Sequence, residues 1–498
     1  MKFCFCAAVL LTICLLLGCS SGGGTSGTGN GGSASGIQTL DMGTLTEVND
    51  SYIYTLANAA ASGSNLSISS QSQTAGTVLS QQTASGAGAE IDWHFIPMGS
   101  GQYNVENMLT HQVMGVSNAS TSAGAQVVEW ADNGTADHLW EFYLLSDGNY
   151  LIKNVNSGLY LESVSSRSVD QGTRATSGAG CNCQEWTLTS TGSSPYPDPS
   201  GVNVSYSSPD SSSTGIHDPS MAQVGGMYNL FSTHGLLHEH QSSDLVNFSD
   251  GGYALSSLPA WTNAFTGGSG DLWAPDVSIH NGEVWLYYAA STFGSTQSGI
   301  GLAVSPNGQP GSFVDSGAAI YVSSNCSGSN AIDPASVVDF AGNAWLVFGS
   351  WSSGIQIIPV STTTGVPTGA ACTQLADHPS GTGIEGAYVY PYGGYYYLFA
   401  SIDTCCNGVS STYRIIVGRA ASVMGPYTDR GGIPLTQGGG TILLSSHSNI
   451  NGPGGESVFT GASGAVLVYH YYDGNNGGSP ALGLNQLGWT SDGWPYVK

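Results

Sequence analysis

Positive charge is almost missing from this chain. Eight Lys and Arg stand against 33 Asp and Glu, a formal net charge of −25 in 498 residues. That balance repels phosphate and excludes nucleic acid and acidic lipid surfaces as partners. Charged residues of both signs make up only 8%, against roughly a quarter in an average soluble protein. So few Lys and Glu, beside 72 Gly and no sustained apolar pattern at helical period, disfavour a helical protein. Strong net charge with low hydrophobicity would indicate disorder, but 40% hydrophobic residues, 25 Tyr and 11 Trp supply material for large cores. The N-terminal apolar run, residues 3–17, is too short for a comfortable membrane span. What remains is an all-β chain rich in Gly, Ser, Thr and aromatics. Its polar but uncharged surface suits a neutral ligand such as a sugar, and its length calls for at least two domains.

Lys2 followed by a short apolar run fits a secretory signal. The run ends in Leu16-Leu17-Gly18-Cys19, which resembles the bacterial lipoprotein signal. That resemblance implies loss of residues 1–18 and diacylglycerol on the Cys19 sulfur; an ordinary signal peptide is the other reading. Ser20 favours sorting to the outer membrane in a host that has one. Residues 19–36 form a Gly/Ser-rich flexible tether. The expected location is the cell envelope or surface, with the membrane touched only through the lipid. Of ten cysteines, Cys4, Cys6 and Cys14 leave with the signal, and Cys181, Cys183, Cys326, Cys372, Cys405 and Cys406 remain beyond the anchor. An even number in an oxidising compartment suggests disulfides, with Cys326–Cys372 the preferred pair.

Internal repeats organise the rest. Trp93, Trp140 and Trp186 recur at intervals of 47 and 46, and Tyr103/Tyr150 and Asn107/Asn154 are each 47 apart. Three β-type copies, each closing on a buried Trp, resemble a ricin-type β-trefoil over residues 37–192, a fold appended to many polysaccharide hydrolases. Trp130 and Asn133 of the middle repeat, and Glu162 of the third, are its sugar-binding candidates. Gly115 stands where the middle repeat would need an acid, so a purely structural trefoil is the alternative.

Residues 193–202 form a Pro-rich linker. Beyond it, five segments pair a turn with an aromatic strand: Gly226-Met227-Tyr228, Gly282-Glu283-Val284-Trp285, Gly342-Asn343-Ala344-Trp345, Gly394-Tyr395-Tyr396-Tyr397 and Gly464-Ala465-Val466. Five four-stranded units of about 60 residues fill 203–498, the arithmetic of a five-bladed β-propeller. About ten residues before each strand lies an acid: Asp218, Asp276, Asp333, Glu385 and Glu456. The first strand of a propeller blade lines the central channel, so acids recurring there are expected to converge on the axis.

At these residues the chain resembles glycoside hydrolase family 43, and most closely its arabinanases. The matching stretches are Ile216-His217-Asp218-Pro219-Ser220, Leu272-Trp273-Ala274-Pro275-Asp276-Val277, Asn330-Ala331-Ile332-Asp333-Pro334-Ala335 and Ile384-Glu385-Gly386-Ala387-Tyr388. Cys405-Cys406-Asn407-Gly408 and the run from Ser411-Thr412-Tyr413-Arg414 to Gly418-Arg419 resemble the arabinan-active branch. The resemblance implies an inverting glycosidase acting on α-1,5-linked L-arabinan of plant cell walls. Asp218 would be the general base, Glu385 the general acid, and Asp333 the carboxylate that orients Glu385 and raises its pKa. Inversion calls for roughly 6.5–9.5 Å between acid and base. Trp273, His217 and Asn330 are candidate substrate contacts, and Asp276 is expected to hold loops. No organic cofactor is implied, and a monomer is expected. Arabinanases commonly carry Gly-Pro-Gly-His, whose histidine holds an axial metal ion, often calcium. Here the stretch is Gly452-Pro453-Gly454-Gly455-Glu456, which leaves Glu456 and His447 as substitute ligands. Two rival functions stay open: an exo-acting α-L-arabinofuranosidase, exo-arabinanase or β-xylosidase of the same family, and a non-catalytic glycan-binding surface lipoprotein.

Overall fold

Three tryptophans hold the first half together. The computed structural model describes residues 41–498 apart from 62, 84–86, 165–167, 175–181, 207–214, 370 and 379–381; the expectations for the signal, Cys19, the tether and Cys181 lie outside the described residues. Trp93, Trp140 and Trp186 are fully buried in one apolar cluster with Phe95 and Phe142. Each indole N–H donates to a carbonyl in its own repeat: Leu66 at 3.1 Å, Met114 at 2.9 Å and Leu161 at 3.0 Å. A buried Trp is stabilising when its one donor is satisfied, and here the solution recurs three times. The amides of Asn58, Asn107 and Asn154 repeat in the same way, donating to Cys183 O, Glu90 O and Asp137 O. Trp186–Ser190 pairs antiparallel with Tyr54–Asn58 and ties the end of a 13-stranded sheet to its beginning. This is the expected β-trefoil.

The second half folds into five sheets in strict sequence order. Their inner strands are Ser220–Val224, Trp273–His280, Ala335–Val338, Ile384–Tyr392 and Ile450–Gly461. Each pairs antiparallel with one of the aromatic strands found in the sequence. Apolar clusters fill the seams: Phe231 and Leu286 between blades 1 and 2, Tyr287 and Phe348 between blades 2 and 3, Leu398 and Leu467 around blade 4. Ile216, Leu230, Val468 and Leu484 join blade 5 to blade 1 and close the ring. Cys326 and Cys372 form the expected disulfide. Cys405 and Cys406 are bonded to each other.

The linker is not a free spacer. Tyr196 is buried, and its hydroxyl donates to Glu106 of the trefoil at 2.6 Å. Glu106 also holds His94 and His111 of the trefoil. Buried apolar residues of the trefoil, Ile96 and Val113, share a cluster with blades 3–5. The two domains are therefore packed on each other through an interface that includes the linker.

Candidate active site

The central channel is lined by five triplets, one from each blade: Asp218-Pro219-Ser220, Ala274-Pro275-Asp276, Asp333-Pro334-Ala335, Gly386-Ala387-Tyr388 and Gly455-Glu456-Ser457. The first residue of every triplet is left-handed, with φ of 47°, 43°, 53°, 63° and 58°. In blades 2, 4 and 5 the pairing with the next strand shifts at this point. Such a bulge turns side chains that would alternate across the sheet toward new directions. For Asp218, Ala274 and Asp333 the conformation is costly, and strain of this kind concentrates at functional sites.

This kink corrects the reading of five acids in one register. Asp218 and Asp333 stand on the kink, Glu385 precedes it, Glu456 follows it, and Asp276 lies two residues beyond. Their surroundings differ accordingly. Asp276 is buried and accepts from Ser336 N and Oγ, both at 2.8 Å; burial pushes it up to about 6. It bridges blades 2 and 3, the holding role expected of it.

Asp218 is tied to His217, whose Nδ1 lies 2.9 Å from Oδ2. Thr233 donates to the same oxygen at 2.7 Å. Burial opposes ionisation of Asp218, but the charge and hydrogen bond of His217, with further help from His470 and Thr233, hold it well below the usual carboxylate range. The His217 ring is engaged on both sides, since Nε2 lies 2.9 Å from the Tyr472 hydroxyl, and it stacks on His470 at 3.8 Å. His217 therefore braces Asp218 rather than presenting free ring nitrogens to substrate.

Glu385 accepts from Ser350 Oγ at 2.6 Å and from the Tyr413 hydroxyl at 2.9 Å. Burial pushes it up; those two bonds pull it down, and the Asp218 charge pushes it up again. Asp333 accepts from Gly386 N at 3.0 Å, which anchors the kink next to Glu385. Burial, then the Glu385 and Asp218 charges, push Asp333 itself well above the usual range. The leading cause of the raised Glu385 pKa is thus burial, with Asp218 the neighbouring charge that adds to it. Two carboxyls on adjacent blades resist ionisation, while Asp218 stays ionised.

Of the other candidates, Trp273 is partly exposed at the mouth of blade 2. Asn330 is buried, and its side-chain oxygen accepts from Ser298 at 2.6 Å, which makes it a strut rather than an open contact. In the trefoil, Asn133 spends its side-chain oxygen on Thr135 N and Oγ1. Trp130 covers Gly76, while Glu162 accepts from Gln184 at 2.7 Å opposite Asp170.

The two candidate metal ligands, His447 and Glu456, have different surroundings. His447 is buried beside Tyr196 and bonded to Ser445 O, among the linker contacts rather than with the channel carboxyls. Glu456 lines the channel and accepts from Ser401 at 2.6 Å, but burial lifts it to about 8. His217, Asp218 and His470 form a compact group of possible ligands. Their atoms are turned on one another: Asp218 N donates to His470 Nδ1 at 3.1 Å. One carboxylate and two imidazoles do not suit calcium, which takes six to eight oxygens. Gly455 leaves room for this group, since a Cβ there would lie 2.5 Å from Asp218 Oδ1 and 2.7 Å from His470 Nδ1.

His470, Thr233, Ser350 and Tyr413 were not assigned roles from the sequence. His470 carries a weak signal, a lone imidazole between aromatics in Val468-Tyr469-His470-Tyr471. Tyr413 lies within a stretch recognised by resemblance, but nothing local marks it as the partner of Glu385.

The comparisons agree with this geometry. Residues 44–130 and 136–197 match the model for a ricin-type beta-trefoil lectin domain-like. The Bacillus subtilis extracellular endo-alpha-(1->5)-L-arabinanase 1 is 40% identical over 286 residues, 56% of this chain and 87% of that protein. A probable arabinan endo-1,5-alpha-L-arabinosidase A of Aspergillus clavatus is 39% identical over 60% of this chain and 96% of its own length. The Cellvibrio cellulosa alpha-L-arabinanase solved with arabinohexaose superposes with a TM-score of 0.54 at 32% identity, over 57% of this chain and 96% of that one. The kinked, acid-lined channel lies within residues 212–495, which match the model for glycosyl hydrolases family 43, and the chain belongs to that family.

Proposed function

We propose that this glycosidase hydrolyses α-1,5-linked L-arabinan within the chain, with inversion at the anomeric carbon. The observation that carries the reading is the contrast between two carboxyls on different blades: His217 and Thr233 hold Asp218 ionised, while burial opposes ionisation of Glu385 beside Ser350 and Tyr413. That is the division an acid–base pair needs. Asp218 takes a proton from water as its oxygen attacks the anomeric carbon. Glu385 gives its proton to the departing glycosidic oxygen, and both groups return to their starting states by exchange with solvent. Asp333 anchors the Gly386 kink beside Glu385 and shares with it the reluctance to ionise. Trp273 is the proposed stacking surface for a sugar ring. No step is routed through a cation, and no organic cofactor is required.

The names of the relatives, endo-acting on arabinan, support the substrate and the mode of attack. The test is digestion of linear 1,5-α-arabinan beside xylan by the native enzyme and by Asp218→Asn and Glu385→Gln. A ladder of arabino-oligosaccharides that both variants abolish supports the reading. Arabinose alone would indicate exo action. No hydrolysis by the native protein, with polysaccharide still bound, would indicate a binding protein. We further propose export and anchoring through Cys19, supported by the extracellular relative and by disulfides suited to an oxidising compartment. No helix among the described residues is long and apolar enough to cross a membrane. The trefoil is proposed to assist polysaccharide binding, and the enzyme to act as a monomer.

A further inference from the structure

The guanidinium of Arg414 has no exposure to solvent and is held by both domains at once. From its own blade, Asp403 Oδ2 accepts from Nε at 2.9 Å and from Nη2 at 2.6 Å. From the trefoil, Asn104 Oδ1 accepts from Nη2 at 3.0 Å, and Asp132 Oδ2 accepts from the same nitrogen. Asp132 lies in the middle repeat, between Trp130 and Asn133. It is buried, and its other oxygen accepts from Gly134 N at 3.0 Å and faces His138 Nδ1 at 3.4 Å. Its backbone carbonyl lies 3.0 Å from Nε2 of His378, a buried propeller residue. Asp132 is thus one of the residues through which the trefoil holds the propeller.

The residue before Arg414 is Tyr413, whose hydroxyl donates to Glu385 at 2.9 Å. Tyr413 is buried and fits against Gly454 of blade 5 so closely that a side chain there would collide with its ring. Asp403 continues the bracing, since its N–H donates to Gly383 O at 3.0 Å, two residues before Glu385. A fixed guanidinium therefore sits one residue from the hydroxyl that orients Glu385, and it shares Asp403 with the strand that carries Glu385.

We infer that Asp132 of the trefoil is a positioning residue for the hydrolysis: by clamping Arg414 against Asp403 it fixes the start of the Arg414–Ala420 strand, and so the aim of the Tyr413 hydroxyl at Glu385. The trefoil is then a structural part of the catalytic unit and not a module swinging on a linker. The inference rests on Glu385 acting as the general acid.

The test uses the full-length enzyme and linear arabino-oligosaccharides. The groups facing Glu385 are Asp218 and His217 of blade 1, Asp333 of blade 3, and Ser350 and Tyr413; Asp403, Asp132 and Asn104 face Arg414. Tyr413→Phe removes a bond that lowers the Glu385 pKa, so the alkaline limb of kcat moves to higher pH. Asp132→Asn is expected to move the limb the same way and to lower kcat about tenfold with KM within about twofold, the range in which misplaced catalytic groups act. Asp132→Glu, which keeps the charge, should restore part of the loss. Tyr196→Phe breaks another contact across the same interface and should lower Tm while leaving kcat and the limb in place. If Asp132→Asn lowers Tm alone, with kcat and the limb per folded enzyme unchanged, the inference is overturned and the contact is merely structural. If Glu385→Gln retains turnover, the assignment of Glu385 falls instead.

Discussion

Replacing Gly455 by Ala adds one methyl group beside Asp218, the proposed base. Two effects follow, and the structure separates them. Gly455 has φ of 58°, and an L-residue in that region costs about 1–2 kcal/mol. The new Cβ would also lie 2.5 Å from Asp218 Oδ1 and 2.7 Å from His470 Nδ1. His470 is fully buried, and Asp218 is held by His217 and Thr233, so neither yields freely. Forcing an extra methyl into such a site costs about 1–3 kcal/mol. Gly393 supplies the control: its φ is 59°, and nothing lies within 4 Å of a Cβ built there. Gly393→Ala should therefore lose only the backbone contribution, and Gly455→Ala about 1–3 kcal/mol more. Displacing the base by about 1 Å should cut turnover on the order of 100-fold, while Gly393→Ala keeps native turnover. Urea unfolding and initial-rate assays on linear arabinan measure both. Equal stability losses for the two variants, with turnover of Gly455→Ala within twofold of native, would refute the packing at the axis.

The pH dependence has a defined sign. Asp218 has a depressed pKa in the folded state, so its stabilising contribution is present above about pH 3.9 and is lost as pH falls toward the folded value. The acid limb of kcat/KM should accordingly lie below pH 4, and Thr233→Val, which removes one hydrogen bond to Asp218, should move it upward; a pH-rate profile measures both shifts. Exhaustive chelation followed by metal analysis should leave activity on arabinan unchanged, because the compact donor group at the axis, His217, Asp218 and His470, offers one carboxylate and two imidazoles. A loss restored by calcium would contradict that reading of the donor set.

Much of the fold was written in the spacing of large residues. Trp93, Trp140 and Trp186 mark the trefoil because each must bury a wide ring and satisfy one N–H, a constraint that recurs once per repeat. The aromatic strands mark the blades for a similar reason: inner and second strands are covered on both faces by neighbouring blades. Asp218, Asp333 and Glu385 were legible as channel residues because they flank such strands. Their different environments were not. The left-handed kink falls on Asp218, Ala274, Asp333, Gly386 and Gly455, residue types with no common signature, and it arises from tertiary packing around the axis. The side chains of His217 and Asn330 turn to Tyr472 and Ser298, pairings that no local pattern announces. The bond from Arg414 to Asp132 joins residues 282 positions apart, and no local pattern announces it. The Pro-rich linker was legible as a stiff spacer but not as part of an interface, to which Tyr196 offers both a large apolar ring and a hydroxyl.

The most direct test of the central claim is the anomeric form of the first product. Proton NMR during early hydrolysis of linear 1,5-α-arabinan should show the β-anomer of the new reducing end forming first and then mutarotating, with the signal absent for Asp218→Asn and Glu385→Gln. First formation of the α-anomer would mean retention, a nucleophile in place of a base, and would contradict the roles assigned to Asp218 and Glu385.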